Sequence, residues 1–158
     1  MKKFFENKKG FTLLEVLVAV SVLVIGSVPA FSTIAQTISS ATFARDKLIA
    51  SFLAQEGIEI VKNIRNTNWI QGNSWNQGLS PGSYQADYND IPPFSSYNGA
   101  QLRLDPNGGY SYDSGTPTKF QRKITIQQID SNELKVTVEV FWPGHSYKVT
   151  SIITNWWQ

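Results

Sequence analysis

The sequence predicts an α+β protein in which a long N-terminal hydrophobic α-helix packs against a C-terminal antiparallel β-sheet. The run Phe11–Phe31 is almost free of charge, and apolar residues then recur at spacings of three and four as far as Arg65. Further on, Leu134–Trp142 alternates along the chain as a half-buried strand does. The first two patterns are typical of helices. A helix followed by strands is expected to cover one face of the sheet.

The net charge of +2 is unevenly distributed along the chain. Residues 1–10 form a leader with four lysines and one glutamate, a charge of +3, so the remaining ten basic and eleven acidic residues give −1. The lysines are expected to keep the N-terminus in the cytoplasm. A nucleic-acid partner is not predicted, since the remainder has no basic excess. The chain has no cysteine, which excludes disulfides and cysteine-based metal or redox chemistry.

The segment Phe11–Phe31 contains a single charged residue, Glu15, and the next charge along the chain is Arg45. A helix needs about 20 predominantly apolar residues to cross a bilayer. Residues 11–38 are therefore predicted to form a transmembrane helix. Pro29 lies inside this run and is expected to kink or loosen the helix locally, because proline lacks a backbone N–H.

Three interpretations of this segment compete. One is a secretory signal peptide with a small-residue cleavage site at Val28-Pro29-Ala30, and another is a simple signal anchor. The third is a precursor that is cut before the apolar run, so that the helix stays on the mature protein. Glu15 favours the third interpretation, because a carboxylate at the centre of a membrane costs about 2.5–3.5 kcal/mol or more and usually has a function.

The residues around Glu15 resemble a known motif. The stretch Lys9-Gly10-Phe11-Thr12-Leu13-Leu14-Glu15-Val16 looks like the prepilin processing and methylation motif of type IV pilins and type II secretion pseudopilins. The resemblance implies that a membrane aspartyl peptidase, the prepilin peptidase, cuts between Gly10 and Phe11 and methylates the new N-terminus at Phe11. It also implies that residues 11–38 become the core helix of a filament.

The residue types in this motif have physical reasons. Glycine has no side chain, so a protease can approach the backbone at Gly10 closely. The amine of Phe11 would be a cation one helical turn from Glu15, about 6 Å along the axis. Each charge is costly alone in a hydrophobic core, and pairing them removes both penalties. The resemblance implies that Glu15 pairs with the Phe11 amine of a neighbouring subunit and so acts in assembly.

Residues 39–65 are predicted to be the amphipathic half of the same helix, which would run from Phe11 to Arg65. One face carries Ile49, Leu53, Gly57, Ile60 and Ile64. The charged residues are expected on other faces, namely Arg45, Asp46, Lys47, Glu56, Glu59, Lys62 and Arg65. This half is expected to pack on the C-terminal domain as ordinary core.

The rest of the chain divides into two regions. In residues 66–118, Gly, Pro, Asn and Ser occupy 26 of 53 positions, which predicts an ordered but irregular, turn-rich region. It contains a possible hairpin with strands at 102–104 and 110–112. Residues 119–158 are predicted to form an antiparallel meander with strands at 119–129, 134–142 and 147–157 and turns at 131–132 and 143–146.

The chain carries no recognisable catalytic motif, so no enzyme, catalytic residue or cofactor is predicted. His145 stands alone in a predicted turn. Two clusters offer oxygen ligands that calcium prefers, but the EF-hand spacing is absent and turns are expected at both places. These clusters are Asp87, Asn89 and Asp90, and Asp105 with Asn107. No metal site is predicted.

The resemblance implies a structural and assembly subunit, and the C-terminal pattern ending in Thr154-Asn155-Trp156 resembles minor subunits of the I or V type. The implied partners are the prepilin peptidase, other pilin or pseudopilin subunits, and the inner membrane with its assembly machinery. The chain is expected to cross the inner membrane once before assembly and to lie in a cell-surface or periplasmic filament afterwards. Two alternatives remain open: a secreted binding domain with an ordinary signal peptide, and a pilin adhesin or DNA-uptake subunit.

Overall fold

A computed structural model describes residues 10–156 and divides the chain into two compact units, with a boundary between Ala44 and Arg45. One helix, α1, covers Leu13–Ile70 and contributes to both units. It ends five residues after the predicted Arg65, because buried Asn68 donates from Nδ2 to two carbonyl oxygens of the following loop and so holds the last turn. The α+β class is confirmed.

The first unit contains the apolar part of α1. The large apolar side chains between Phe11 and Ile38 are exposed in the isolated chain. The helix continues through Pro29. Five hydroxyl groups donate to carbonyl oxygens four residues earlier at 2.7–2.9 Å, namely Ser21, Ser27, Thr33, Thr37 and Thr42. Hydroxyl groups that are satisfied within the helix are less costly to place in hydrocarbon.

The second unit contains a seven-stranded antiparallel sheet. Its strands are β1 (Gly82–Gln85), β2 (Ser95–Ser96), β3 (Gln101–Leu104), β4 (Tyr110–Ser111), β5 (Thr116–Gln128), β6 (Glu133–Trp142) and β7 (His145–Thr154). The long strand β5 is central: β6 pairs with one of its edges, and β1 and β3 pair with different parts of the other. β7 pairs with β6, while β2 and β4 extend β1 and β3.

The three strands of the predicted meander are confirmed, with shifted ends. β7 begins at His145 because a two-residue turn, Pro143-Gly144, replaces the longer predicted turn at 143–146. Gly144 adopts a φ of 75°, which favours glycine there. The predicted hairpin is confirmed as β3 and β4. β1 and β2 were not predicted, since their short segments lack a clear alternation. The boundaries of the predicted segments at 38/39, 65/66 and 118/119 stay predictions.

The core of the second unit lies between α1 and the sheet. Glycine at position 57 lets the helix backbone approach β6, since a Cβ there would lie 2.8 Å from Val138 Cγ1 and 3.3 Å from Arg122 Cδ. From the helix, the core takes Ala50, Leu53, Ala54, Ile58, Ile60 and Val61, and from β5 to β7 it takes Phe120, Ile124, Ile126, Leu134, Val136, Val138, Val140, Trp142 and Ile153. The predicted helix face is therefore confirmed at Leu53, Gly57 and Ile60.

Candidate functional site

Three exposed residues precede the first turn of α1. Gly10, Phe11 and Thr12 lie outside the helix and are exposed. A Cβ built on Gly10 would meet nothing within 4 Å among residues 10–156, so this described part of the chain does not cover the backbone there. A non-helical, uncovered peptide is what a protease needs to reach the main chain. The predicted cleavage point therefore lies on an accessible segment, and cleavage there stays a prediction.

Thr12 and Glu15 form the start of the helix. The Thr12 hydroxyl accepts a hydrogen bond from the Glu15 N–H at 3.2 Å, and the Thr12 carbonyl accepts one from Val16 N–H at 3.2 Å. Thr12 is thus the N-cap, and Thr12-Leu13-Leu14-Glu15 has the spacing of a capping box. The sequence analysis did not predict that Thr12 caps the helix. A carboxylate in the first turn is also favoured by the helix dipole.

Glu15 is exposed in the isolated chain. Among residues 10–156, the ion pairs involve other acidic groups, so none engages Glu15. Its side chain is therefore available to a cation from another molecule. The helix fixes its position one turn after Phe11. This geometry is compatible with the predicted pairing, which stays a prediction.

The helix that follows is suited to an apolar environment. Within residues 10–156, α1 is the one helix that is long and apolar enough to cross a membrane, judged by length and composition. Its most apolar stretch has a mean hydropathy of 2.3, and none of that stretch is buried. So large an exposed apolar surface is unusual for a soluble monomer and needs lipid or protein to cover it.

The second unit contains a fully buried charge that the sequence analysis did not single out. Arg122 lies on β5 with no exposed surface. Its Nη1 donates to Glu56 Oε2 at 2.8 Å and to the Leu53 carbonyl at 3.1 Å, and its Nη2 donates to the Ala86 carbonyl at 2.6 Å. One side chain thus joins α1, the central strand and the segment after β1. Arg122 Nε is the one buried side-chain polar atom without a partner in the described part of the chain.

A signal for this residue exists in the sequence. Phe120, Arg122, Ile124 and Ile126 occupy alternate positions of β5, and all four face the core. A charged residue in such an apolar row predicts a buried ion pair, because an unpaired buried charge is very costly. The sequence does not reveal the partner, since Glu56 is 66 residues away.

Two buried carboxylates correct or refine the sequence-based expectations. Asp46 was expected on an outer face of the helix, and that prediction is wrong, because Asp46 is buried. Its carboxylate is tolerated there since Oδ2 accepts a hydrogen bond from Lys119 Nζ at 2.6 Å. Asp87 is 1% exposed and accepts hydrogen bonds from the N–H groups of Asn89 and Tyr112, both at 2.9 Å. Its own N–H donates to Asp90 Oδ2 at 2.8 Å. Asp87 therefore holds a turn and ties it to the hairpin.

The other acidic cluster is also used in a turn. Asp105 Oδ1 accepts hydrogen bonds from the N–H groups of Asn107 at 2.6 Å and Gly109 at 3.2 Å. The predicted turn chemistry is confirmed at both clusters. Among the described residues, no group of three or more His, Asp and Glu side chains is placed to hold a metal ion. His145 begins β7, opposite Trp142.

The end of α1 contains an aromatic cluster. The Arg65 guanidinium lies 4.7 Å from the Trp69 ring centroid, and the Trp156 ring packs edge-on at 4.9 Å. Trp69 Nε1 donates to Asn155 Oδ1 at 3.2 Å. Trp75 and Trp142 are buried in the core. Four of the five tryptophans thus take part in packing within this chain.

Tyr112 gives the second unit a pH dependence in alkali. Its hydroxyl donates to the Arg122 carbonyl at 3.1 Å. Burial raises the pKa of Tyr112 to about 12 from the ordinary value of 10.0, although nearby Arg122 acts to lower it. The folded protein therefore holds this proton at pH values where the unfolded chain has lost it.

We expect this difference to stabilise the protein fully below pH 10 and to be lost as the pH rises through about 12. Over that interval, the free energy of unfolding of a Tyr112→Phe variant should fall less than that of the wild type, by about 2–3 kcal/mol. Urea unfolding at several alkaline pH values measures both. Parallel pH curves for the two proteins would contradict the assignment.

The fold and the N-terminal segment together define a class of protein. It has one long apolar N-terminal helix followed by an antiparallel sheet, which is a pilin-like architecture. Residues 6–31 match the family model described as the prokaryotic N-terminal methylation motif. That match contains Gly10, Phe11 and Glu15, and it supports a place among type IV pilin-like, prepilin-processed proteins. No curated protein and no solved structure matches the chain.

Proposed function

We propose that this protein is a structural and assembly subunit of a type IV pilus or type II secretion-like filament. The observation that carries the proposal is the methylation motif at residues 6–31, in which the exposed residues 10–12 lead into an apolar helix whose one charge before Arg45 is Glu15. Within this class we assign the chain to the minor subunits of the I or V type. That finer assignment rests on the resemblance of the C-terminal pattern.

Processing cuts the chain between Gly10 and Phe11 and methylates Phe11. Cleavage removes the leader and its charge of +3, so the mature chain begins with a cationic amine followed directly by the apolar helix. Before cleavage the lysines hold the N-terminus in the cytoplasm, and the helix crosses the inner membrane. The exposed apolar side chains between Phe11 and Ile38 support a later transfer to other subunits.

Assembly depends on Glu15. In an apolar filament core, its carboxylate and the Phe11 amine of a neighbouring subunit would each be costly without a partner. Pairing them removes both costs and fixes the axial register between the two helices. The second unit contributes a rigid body, since Arg122, Asp46 and Asp87 are buried and hydrogen-bonded. Its role in the proposal is structural and includes no catalysis.

We expect Glu15→Ala and Glu15→Gln to be processed almost normally but to enter filaments at least about tenfold less. The neighbouring amine would lose its partner, and each 1.4 kcal/mol of lost pairing is a factor of ten. Quantifying the subunit in sheared or purified filaments, relative to the membrane fraction, measures this. Glutamine keeps the size of glutamate and one hydrogen-bond acceptor but carries no charge, so a failure of Glu15→Gln would assign the effect to charge.

Thr12→Val is the matched control, because it removes the N-cap hydroxyl and leaves Glu15 in place. It should weaken the first turn by about 1 kcal/mol and change incorporation little. If the Glu15 variants assemble as well as the wild type, or lose no more incorporation than Thr12→Val does, the pairing is wrong.

A further inference from the structure

Two asparagine–glycine pairs lie in loops of the second unit. Asn98-Gly99 belongs to the loop between β2 and β3, and Asn107-Gly108 belongs to the turn between β3 and β4. In such a pair the backbone nitrogen of glycine can attack the side-chain amide of asparagine, because glycine has no side chain to obstruct the approach. Both asparagines are exposed, so sequence and exposure do not distinguish the two pairs. The hydrogen bonds around them do.

At Asn98 the fold leaves the reacting groups unengaged. The Gly99 N–H, which supplies the attacking nitrogen, and Asn98 Nδ2, which is the leaving group, make no hydrogen bond within residues 10–156. Asn98 Oδ1 accepts a hydrogen bond from the Ala100 N–H at 2.9 Å. This bond folds the side chain back over the Gly99 peptide and draws electrons from Cγ. The space beside Gly99 is also open, since a Cβ there would meet nothing within 4 Å in this part of the chain.

At Asn107 the corresponding nitrogen is engaged in the turn. The Gly108 N–H donates to the Asp105 carbonyl at 3.1 Å. The Asn107 and Gly109 N–H groups donate to Asp105 Oδ1 at 2.6 and 3.2 Å. Attack by the Gly108 nitrogen consumes its N–H, so the first of these bonds is lost and the turn held by the other two is distorted. These bonds therefore add to the barrier at Asn107.

We propose that Asn98 is a site of spontaneous deamidation in the folded protein, whereas the turn protects Asn107. The Gly99 nitrogen forms a bond to Asn98 Cγ, the Cγ–Nδ2 bond breaks, and ammonia leaves with the proton that the Gly99 nitrogen gives up. Water then opens the five-membered imide at either carbonyl, which leaves aspartate or isoaspartate at position 98.

Both products add one negative charge to the loop between β2 and β3. The isoaspartate product also carries the main chain through the former side chain, so the loop gains one methylene group. Because ammonia is lost, the change accumulates with the age of the chain. The inference does not depend on how the N-terminus is processed.

Incubating the purified full chain in detergent at mildly alkaline pH in heavy-oxygen water tests the proposal. Opening of the imide incorporates one heavy oxygen, so peptide mass spectrometry after digestion in ordinary water measures the conversion at each asparagine. We expect position 98 to convert at least about tenfold faster than position 107, because the turn at Asn107 must first open. Methylation by a protein-isoaspartate methyltransferase should detect isoaspartate in the wild type and fall sharply in Asn98→Ser.

Unfolding in guanidinium chloride separates the effect of the fold from that of the sequence. Neither glycine N–H is held in the unfolded chain, so the two positions should convert at rates within about threefold of each other. Asp105→Ala removes the acceptor of two bonds in the turn, and it should raise conversion at position 107 at least about threefold while position 98 is unchanged.

Four results would overturn the proposal. They are no conversion at position 98, equal conversion at positions 98 and 107 in the folded chain, a difference between the two positions that persists after unfolding, and an unchanged rate at position 107 in Asp105→Ala.

Discussion

Replacing Arg122 with alanine should destabilise the second unit by about 3–5 kcal/mol. The substitution removes a fully buried side chain, leaves a cavity beside Gly57, and takes the hydrogen-bond donor from the Leu53 and Ala86 carbonyls. Buried carbonyl groups without partners and an unfilled cavity both cost free energy. Urea unfolding of the full chain in detergent, followed by tryptophan fluorescence, measures the loss.

Arg122→Met separates the charge from the volume. Like alanine, methionine removes the desolvation cost of the guanidinium, but it also fills much of the space that alanine leaves empty. The free energy of unfolding should therefore fall clearly less for Arg122→Met than for Arg122→Ala. Glu56, its ion-pair partner, keeps 32% of its side-chain surface in solvent and can be hydrated again. If Arg122→Ala lowers the free energy of unfolding by less than about 1 kcal/mol, this contact does not hold α1 to the sheet. If alanine and methionine lower it equally, side-chain volume plays no part.

Gly10→Val should abolish removal of the leader, and the unprocessed chain should accumulate. The physical reason is steric: a side chain beside the scissile bond prevents the close approach to the backbone that glycine permits. The intact mass of the membrane-extracted protein distinguishes a chain that retains residues 1–10 from one that has lost them. Without cleavage Phe11 has no free amine, so filament incorporation should also be lost.

Gly26→Val is the matched control for this experiment. A Cβ at Gly26, like one at Gly10, would meet nothing within 4 Å in the isolated chain. The added bulk is the same, but it lies within α1 and away from the predicted cleavage point. Normal processing of Gly10→Val, or equal loss of processing in both variants, would contradict the assignment of the cleavage point.

The sequence predicted the fold where its period was strong and local. The spacing from Ile49 to Ile64 predicted the buried face of α1, and the alternation of Leu134–Trp142 predicted β6 almost to the residue. These signals are sufficient because a helix face and a strand face are each defined by neighbours along the chain. The ends were less accurate, since they depend on caps such as Thr12 and on contacts such as that of Asn68.

The parts that were missed depend on contacts distant in sequence. Asp46 resembles an ordinary surface residue until Lys119, 73 residues later, is known to lie beside it. β1 is a short strand, and its pairing is with residues of β5 about 40 positions further on. At the N-terminus no contact distant in sequence is needed. The roles of Gly10, Phe11 and Glu15 are implied by the resemblance of a short linear segment to the prepilin motif, and they stay predictions.

Everything proposed for the N-terminal segment requires that the chain is cut before its apolar helix. Mass spectrometry of the N-terminus of the mature protein, isolated from cells that contain a prepilin peptidase, measures where the chain begins. We expect an N-terminal peptide that begins at Phe11 and carries a methyl group on its amine. A mature chain that begins at Phe31, after the small residues Val28-Pro29-Ala30, would contradict it, and so would a chain that keeps its leader.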